Sequence, residues 1–307
     1  MGKIAFVFPG QGAQVVGMGQ NVYENSAVAK DVFEQASKAV DLDLKALCFE
    51  ENNDINITEF TQVCLLTTSV AIMEELKTRG VKADVAAGLS LGEYCALVAA
   101  GSMNFVDAAK AVRKRGIFMQ EEVPAGKGGM AAILGMDAAE IDKNIEEFDK
   151  VQVANYNCPG QIVISGEKAA VEEACEKLKA AGAKRAVMLN VSGPFHSGML
   201  ADAGEKLGEV LSQVELHEPQ IPYVANVTAQ YVKSAAEVKE LLTRQVSSSV
   251  RWQQSVEAMI ADGVDTFIEI GPGKTLAGFM RKISRDVKTL NVENLEDIGK
   301  VAEALKS

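Results

Sequence analysis

The chain has 307 residues, of which 48% are hydrophobic and 24% charged, a composition that is usual for globular proteins. This length predicts two domains, or one large domain with an insertion. Forty-two acidic residues against 31 basic ones give a net charge of −11, which argues against nucleic-acid binding. No apolar run approaches the ~20 residues of a membrane span, and the run before Pro9 is too short for a signal peptide.

The cysteine and histidine content argues against two further classes of protein. The five cysteines form no C-x-x-C pair and lie in apolar or helical neighbourhoods, where buried thiols are inert. With only two histidines in the chain, neither a zinc site nor a disulfide framework is supported. We therefore expect a cytoplasmic protein that holds no metal, and we expect it to be a monomer.

The first part of the chain alternates buried strands with helices. Strands are predicted at 3–8 and 84–88, and helices at 27–40, 62–78, 92–100 and 104–121. Alternation of strands and helices with short connections predicts an α/β fold built on a doubly wound parallel sheet.

The pattern changes after a glycine-rich segment at 126–129. The next elements are predicted as strand 130–134, helix 138–148, strand 151–155, turn 157–160, strand 161–165, helix 169–181 and strand 185–189. This βαββαβ order is the ferredoxin-like arrangement. We therefore expect residues 127–191 to form a small domain inserted into a large one, which comprises 1–126 and 192–307. Beyond it the α/β pattern resumes, with helices at 199–213, 235–245 and 253–261 and strands at 222–226 and 266–270.

Two glycine-rich segments resemble nucleotide-binding loops without matching them. The segment that begins Gly10-Gln11-Gly12 has Val15 at the sixth position of G-x-G-x-x-G. The segment Gly273-Lys274-Thr275 resembles the end of a phosphate-binding loop, but Ile268 stands where that loop needs its first glycine. Both are predicted to be tight turns at strand ends. A turn after the first strand can also supply a backbone N–H to an oxyanion.

The segment Gly88-Leu89-Ser90-Leu91-Gly92 matches the G-x-S-x-G pattern of a nucleophilic serine. A buried strand precedes it and a helix of small residues follows, which is the context that the pattern requires. Flanking glycines allow a turn sharp enough to raise the serine hydroxyl above the sheet. The N–H of Leu91 then points to where an oxyanion would form. The alternative is a purely structural serine, and we favour a nucleophile.

A serine nucleophile needs a general base, and the choice is between His196 and His217. His196 lies in a glycine- and proline-rich loop that leads into a helix, a common place for catalytic side chains. A helix N-terminus there would disfavour the imidazolium ion and keep the ring neutral. His217 lies in a charged connector and is predicted to be a solvated surface residue. We expect His196 to be the base.

With these residues in hand, the chain resembles the malonyl-coenzyme A:acyl carrier protein transacylases of bacterial fatty acid synthesis. The resemblance runs almost end to end, and the family's order is preserved. Its landmarks are the segments 8–14, 88–93, 115–120, 155–161, 193–197, 250–252 and 269–274. The family's fold combines an α/β-hydrolase-like core with an inserted ferredoxin-like subdomain.

The resemblance implies a role for each matching residue. Ser90 would carry the acyl group, His196 would be its base, and the backbone N–H groups of Gln11 and Leu91 would form the oxyanion hole. Arg115 would bind the malonyl carboxylate, although the cluster Arg113-Lys114-Arg115 by itself indicates only a solvated helical face. The remaining implied residues are Gln245, whose backbone carbonyl would orient the histidine, and Phe195 and Asn157, which would contact substrate.

One position departs from the family's pattern. The family usually has histidine just before the serine, whereas this chain has Leu89. We expect the chemistry to survive, since that residue is not the base, but we expect hydrogen bonding around the turn to differ from the family's. Phe195, immediately before the histidine, is expected to favour malonyl over methylmalonyl groups.

The implied activity is malonyl transfer from coenzyme A to the phosphopantetheine thiol of acyl carrier protein, through a malonyl-serine. Coenzyme A and phosphopantetheine enter as parts of the substrates, so no separate cofactor is expected. Three alternatives remain: a thioesterase or lipase, which would want an acidic third residue and no cationic clamp; a non-catalytic protein that binds acyl carriers; and an acyltransferase from a polyketide synthase. The last is disfavoured because the sequence ends at Ser307 without an interdomain linker.

Overall fold

Two sheets and the helices around them make up the computed structural model, which describes residues 2–124, 126–191 and 193–306. The strands are β1 (Lys3–Phe8), β2 (Val85–Gly88), β3 (Gly128–Leu134), β4 (Val151–Cys158), β5 (Gln161–Glu167), β6 (Arg185–Met188), β7 (Tyr223–Val224), β8 (Tyr231–Val232), β9 (Val264–Ile270) and β10 (Lys288–Val292). The helices are α1 (Gln20–Asn25), α2 (Ala27–Val40), α3 (Leu44–Phe49), α4 (Thr58–Thr78), α5 (Gly92–Ala99), α6 (Phe105–Glu121), α7 (Ala138–Ile145), α8 (Lys168–Ala180), α9 (Ala201–Leu211), α10 (Ala235–Gln245), α11 (Trp252–Ala261), α12 (Thr275–Ile283) and α13 (Leu295–Ala304).

The larger sheet has the strand order β10-β9-β1-β2-β7-β8. Its strands are parallel, as predicted, except that the edge strand β8 pairs antiparallel with β7, so the sheet is mixed. Residues Ala5–Phe8 of β1 are fully buried between β2 and β9, as their continuous apolar run predicts. Phe8 pairs with Gly88, so the segments that follow β1 and β2 start side by side.

The smaller sheet is antiparallel and has the order β4-β5-β3-β6. Helices α7 and α8 pack against it around a separate apolar cluster that includes Ile133, Ile141, Ile164, Val171 and Leu178. The order of strands and helices predicted between residues 130 and 189 is the order found.

Backbone hydrogen bonds join the smaller sheet to a loop beside the larger one. Tyr156 donates its N–H to the carbonyl of Val250 at 2.9 Å, and Val250 donates to the carbonyl of Ala154 at 2.8 Å. These bonds attach β4 to the loop before α11, whose Val250 packs in an apolar cluster with residues of β1 and β2.

Several predicted elements have other bounds, and some were missed. The strand predicted to end at residue 155 continues to Cys158, because irregularities in its pairing near Ala154 and Asn157 absorb extra residues. The predicted turn thus shrinks to the two residues between β4 and β5. Helix α4 begins at Thr58, and β7 has only two paired residues. The missed elements are α1, α3, α12, α13, β8 and β10. Among the described residues no helix is long and apolar enough to cross a membrane.

Candidate active site

Ser90 lies in the sharp turn between β2 and α5, at the carboxyl end of a central strand. Its φ of 55° is in the left-handed region, which a non-glycine residue adopts only under constraint. The flanking glycines are needed, because a Cβ on Gly88 would overlap the backbone of Gly92, and one on Gly92 would overlap the carbonyl of Phe8. The geometry is that of a nucleophile elbow.

His196 lies within hydrogen-bond reach of the serine. Its Nε2 is 2.7 Å from Ser90 Oγ, and its Nδ1 is 2.8 Å from the backbone carbonyl of Gln245. Since a carbonyl only accepts, Nδ1 carries the proton and Nε2 is free to accept one from the serine. His217 is on the surface, with 54% of its side chain exposed, and takes no part.

The environment keeps the His196 ring neutral at pH 7. Burial and, to a smaller extent, the positive charge of Arg115 together lower its pKa from 6.5 to about 4, against the hydrogen bond from Nδ1 to Gln245, which raises it. The helix whose N-terminus is expected to contribute begins later than predicted. Residues Gly198–Leu200 form only a 3-10 turn, and α9 begins at Ala201.

Arg115 extends from α6 to the serine with its side chain only 1% exposed. Its Nη2 donates to Ser90 Oγ at 3.1 Å and to Gln245 Oε1 at 2.9 Å, and its Nη1 donates to Gln62 Oε1 at 2.5 Å. Its Nε has no partner among the described residues. No carboxylate of the described residues bonds this guanidinium directly, so it retains capacity for an anion. Burial lowers the pKa of Arg115.

Arg113 faces elsewhere, as the helical spacing predicts. It pairs with the Glu59 carboxylate, donates to the Glu59 carbonyl at 3.0 Å, and stacks over the Phe60 ring. The two arginines of the basic cluster thus have different surroundings, and only Arg115 reaches the serine.

Two backbone amides are available near the serine. Gln11 follows β1 and Leu91 follows Ser90, and both residues line the same cavity as the serine hydroxyl. Neither amide donates to an acceptor of the described chain. The Gln11 side chain is held by a hydrogen bond of 3.1 Å to Thr58 Oγ1, which fixes the turn.

The elbow is also held by polar side chains that sequence reasoning missed. Asn226, after β7, accepts the N–H of Ser90 at 2.6 Å and donates to the carbonyl of Gly88 at 2.6 Å. Glu93 is fully buried and accepts from Gln245 Nε2 at 2.7 Å. Asn226 could have been found from the sequence, because it is a polar residue at the end of a predicted buried strand. Ligand sites of α/β sheets lie at the carboxyl ends of such strands.

A cavity of about 580 Å³ connects these groups to the surface. Residues from the smaller sheet line one side of it, among them Met130, Asn155 and Val163, and residues of α12 line another. Phe195 and Asn157 are both mostly buried in its wall.

Leu89 lines the cavity as well, and its backbone N–H and carbonyl are satisfied by Phe8 and Gly92. The backbone bonds of the elbow thus form without a histidine at this position. Within the described residues no group of three or more His, Cys, Asp or Glu side chains is arranged to hold a metal ion.

Comparisons with known proteins identify the family. Residues 5–303 match the family model described as acyl transferase domain. A malonyl CoA-acyl carrier protein transacylase of Bacillus subtilis (strain 168) is 50% identical to this chain over 311 positions, covering 100% of this chain and 98% of that protein. The chain belongs to the malonyl CoA-acyl carrier protein transacylase family.

Solved structures of the malonyl CoA-acyl carrier protein transacylase family share this α/β fold and its mixed sheet. One from Clostridium perfringens has 46% sequence identity and a TM-score of 0.96, covering 99% of this chain and 97% of that one. A second is a malonyl-transacylase in complex with a type II PKS acyl-carrier protein, with 40% identity and a TM-score of 0.95, covering 98% and 99% of the two chains.

Proposed function

We propose that this protein transfers a malonyl group from malonyl-CoA to acyl carrier protein in fatty acid biosynthesis, in two half-reactions through a malonyl-Ser90 intermediate. The observation that carries the proposal is the contact of Ser90 Oγ with two groups at once. His196 Nε2 is 2.7 Å away and Arg115 Nη2 is 3.1 Å away. A base and a cation at one hydroxyl suit an acyl group that carries its own carboxylate.

In the first half-reaction His196 accepts the proton of Ser90 while the oxygen attacks the thioester carbonyl. The negative charge that develops on the carbonyl oxygen is stabilised by the N–H groups of Gln11 and Leu91. The tetrahedral intermediate collapses, the bond to sulfur breaks, and the thiolate of coenzyme A takes the proton from His196. The carbonyl of Gln245 holds the imidazole in the required tautomer throughout.

Arg115 binds the malonyl carboxylate in this scheme. A buried guanidinium with unused donors is the partner that a carboxylate needs once it leaves water. Pairing with an anion also offsets the charge that lowers the pKa of His196. The correct acyl group therefore makes its own base stronger, which a neutral acyl group does not.

In the second half-reaction the phosphopantetheine thiol of acyl carrier protein attacks the malonyl-serine, with His196 again as the base. One thioester replaces another, so the reaction needs no energy source and no separate cofactor. Phe195 and Asn157 are proposed to contact the acyl group, since both side chains border the cavity. Phe195 would crowd an α-methyl branch. We further propose a cytoplasmic monomer.

The finer fold assignment is also a proposal. The βαββαβ order of residues 128–188 and their separate apolar cluster support a ferredoxin-like small domain at 127–191. The position of Ser90 after β2 supports an α/β-hydrolase-like large domain made of 1–126 and 192–307.

A thioesterase or lipase is the second candidate. It would share the serine and histidine but has no use for a buried cation beside them, and it needs an open path for water. The Gln245 carbonyl stands where such an enzyme would have a carboxylate.

Intact-protein mass spectrometry after mixing with malonyl-CoA tests the proposal. Wild type should gain one malonyl group, which peptide mapping should find on Ser90. Adding acyl carrier protein should remove it and yield malonyl-carrier instead of free malonate. Ser90→Ala should gain nothing, whereas Ser212→Ala, an exposed control, should behave as wild type. An adduct on Ser90→Ala, or free malonate as the main product, would contradict the proposal.

A further inference from the structure

Glu93 is a buried carboxyl group that the proposed reaction does not use. It is the second residue of α5, next to the elbow, and its side chain is fully buried. Its Oε2 accepts two hydrogen bonds, from Gln245 Nε2 at 2.7 Å and from the backbone N–H of Asn226 at 3.2 Å. One carboxylate oxygen therefore binds both Gln245 and Asn226.

Those two residues hold the reacting groups. Asn226 bonds both Ser90 N and the carbonyl of Gly88, on either side of the left-handed turn. Gln245 donates to the carbonyl of Ser90 at 2.8 Å, accepts from Arg115, and bonds His196 through its backbone carbonyl. Ser90, His196 and Arg115 are therefore each linked to Glu93 through one intermediate residue, either Asn226 or Gln245.

We infer that Glu93 is the positioning residue of this active site, which sets the places of Ser90, His196 and Arg115 through Asn226 and Gln245 without touching substrate. This inference rests on the proposed function. The position of Gln245 between Glu93 and Arg115 also explains how the buried guanidinium keeps donors for the substrate carboxylate. A carboxylate bonded directly to Arg115 would occupy the donors that the substrate needs, whereas Gln245 stands between the two charges.

The positioning depends on the charge of Glu93. Burial raises its pKa to about 7, against the hydrogen bonds from Gln245 and Asn226 and the charge of Arg115, which lower it. The other titratable groups that interact with it are the buried hydroxyls of Tyr94 on α5 and Tyr223 on β7. A protonated carboxyl is the weaker acceptor, so both amides loosen as pH falls through about 7. The rate of transfer should fall with them.

The decisive variant is Glu93→Gln, which keeps the size and one acceptor oxygen but removes the charge. We expect kcat to fall roughly 10- to 100-fold for acetyl-CoA, since displaced Ser90 and His196 serve it poorly, and at least as much for malonyl-CoA, which also needs Arg115 in place. The acid limb near pH 7 in the wild-type profile of kcat should be absent. Glu75→Gln is the matched control, because Glu75 is a buried carboxylate on α4 bonded to Ser26 and Arg79. Its profile should be that of wild type.

A second control addresses the other buried carboxyl that titrates in this range. The pKa of Glu269 is also raised to about 7 by burial, and its carboxylate accepts N–H groups at the start of α12. Glu269→Gln should keep the limb. If that variant loses it, or if Glu93→Gln keeps it or has the kcat of wild type, the inference is wrong.

A second variant distinguishes a loss of folding from a loss of positioning. If Glu93→Gln does not fold by circular dichroism, Glu93→Asp replaces it. This variant keeps the charge but shortens the reach, so it should lower kcat and retain the limb, and a wild-type kcat would overturn the inference. If wild type itself forms no malonyl adduct, the proposed function fails. If wild type forms the adduct and the Glu93 variants equal it, only this inference fails.

Discussion

Arg115 holds its charge in surroundings that are almost free of water. An unpaired buried charge costs several kcal/mol, and so does a buried carboxylate. The buried guanidinium and the malonyl carboxylate therefore each gain stability by pairing with the other. Replacing Arg115 with alanine should cost malonyl transfer about 3–4 kcal/mol, or roughly 10²- to 10³-fold in kcat/KM. Acetyl transfer should change little or improve, so the malonyl to acetyl ratio of kcat/KM should collapse.

Arg113→Ala is the control for that prediction. It removes a guanidinium two residues away whose contacts are with Glu59 and Phe60, on another face of the helix. Its malonyl to acetyl ratio should equal that of wild type. Equal losses for both acyl groups in Arg115→Ala would show that Arg115 only supports the fold.

His196 should give the enzyme a second acid limb well below pH 7. Its pKa is lowered from 6.5 to about 4, so the neutral, proton-accepting form persists until pH falls through about 4. Arg115→Ala removes one of the two causes of this shift, so in that variant the limb, measured with acetyl-CoA, should move toward higher pH. Rapid pH-jump assays should be made below pH 6. The protonation expected of Glu93 near pH 7 is then largely complete, and the remaining change in rate reports on His196.

The two histidines give a clean comparison for this profile. His196→Ala should lose most of the rate, whereas His217→Ala should leave both rate and limb unchanged, because that side chain is exposed and lies beside Glu215, away from the serine. A wild-type profile with no second limb near pH 4, or one whose lower limb disappears in His217→Ala, would contradict the assignment.

At the scale of elements, the elbow depends on close contact between β2 and α5. Gly88→Ala would place a methyl group inside the backbone of Gly92, so we expect a loss of roughly 3 kcal/mol or more in the free energy of unfolding. The malonyl adduct should be lost as well. Gly278→Ala, on α12 with open space at its Cβ, should instead stabilise by about 0.4–1 kcal/mol. Urea titrations measure both, and equal effects would contradict this account.

The sequence predicted the residues of the site whose signals are local. Ser90 follows from its strand and glycines, and His196 from a choice of two. Asn226, Gln62 and Glu93 were missed because their roles arise only when distant segments meet. Gln62, for example, contacts Arg115 across 53 positions of the chain. Long-range polar contacts of this kind leave no periodicity in a single sequence.

Helices and strands were likewise predicted where their sequence signal is local and long enough to read. The strand β1 is a continuous apolar run and α4 is buried on nearly every side, whereas α2 and α9 each have one apolar face; these elements and β9 were predicted within a few residues. The short helices α1 and α3 and the two-residue strand β8 were missed, since so few residues carry no readable period. The extension of β4 to Cys158 was also missed, because pairing with β5 overrides the turn residues near its end.

On the surface of the molecule, basic side chains flank the turn between β4 and β5, beside the cavity. Lys184 lies against Gly135, whose N–H bonds the carbonyl of Gly160 in that turn. On the other side, Lys282 Nζ donates to Gln161 Oε1 at 3.1 Å, and Gln161 lines the cavity. The neighbouring exposed basic residues are Arg185, Arg281 and Arg285.

Because the chain carries −11 overall, an acidic carrier protein would be repelled unless such a local patch attracts it. The double reversal Lys184→Glu with Arg281→Glu should therefore raise the KM for acyl carrier protein, most strongly at low salt, and leave the KM for malonyl-CoA unchanged. Lys38→Glu with Lys239→Glu changes the net charge equally at exposed sites outside the cavity lining and serves as the control. Equal effects of both pairs on carrier KM would argue against docking here.

The pairing of β1 with β9 has a consequence for synthesis of the chain. Residues 3–8 find one of their two neighbours only at 264–270, and the base and its orienting carbonyl come from 196 and 245. On the ribosome the antiparallel sheet of residues 128–188 closes early, while the first strand must wait for the last third of the protein. A nascent chain that already displays Ser90 therefore lacks its base and the orienting carbonyl until residues 196 and 245 have been made, so the active site is completed late in synthesis.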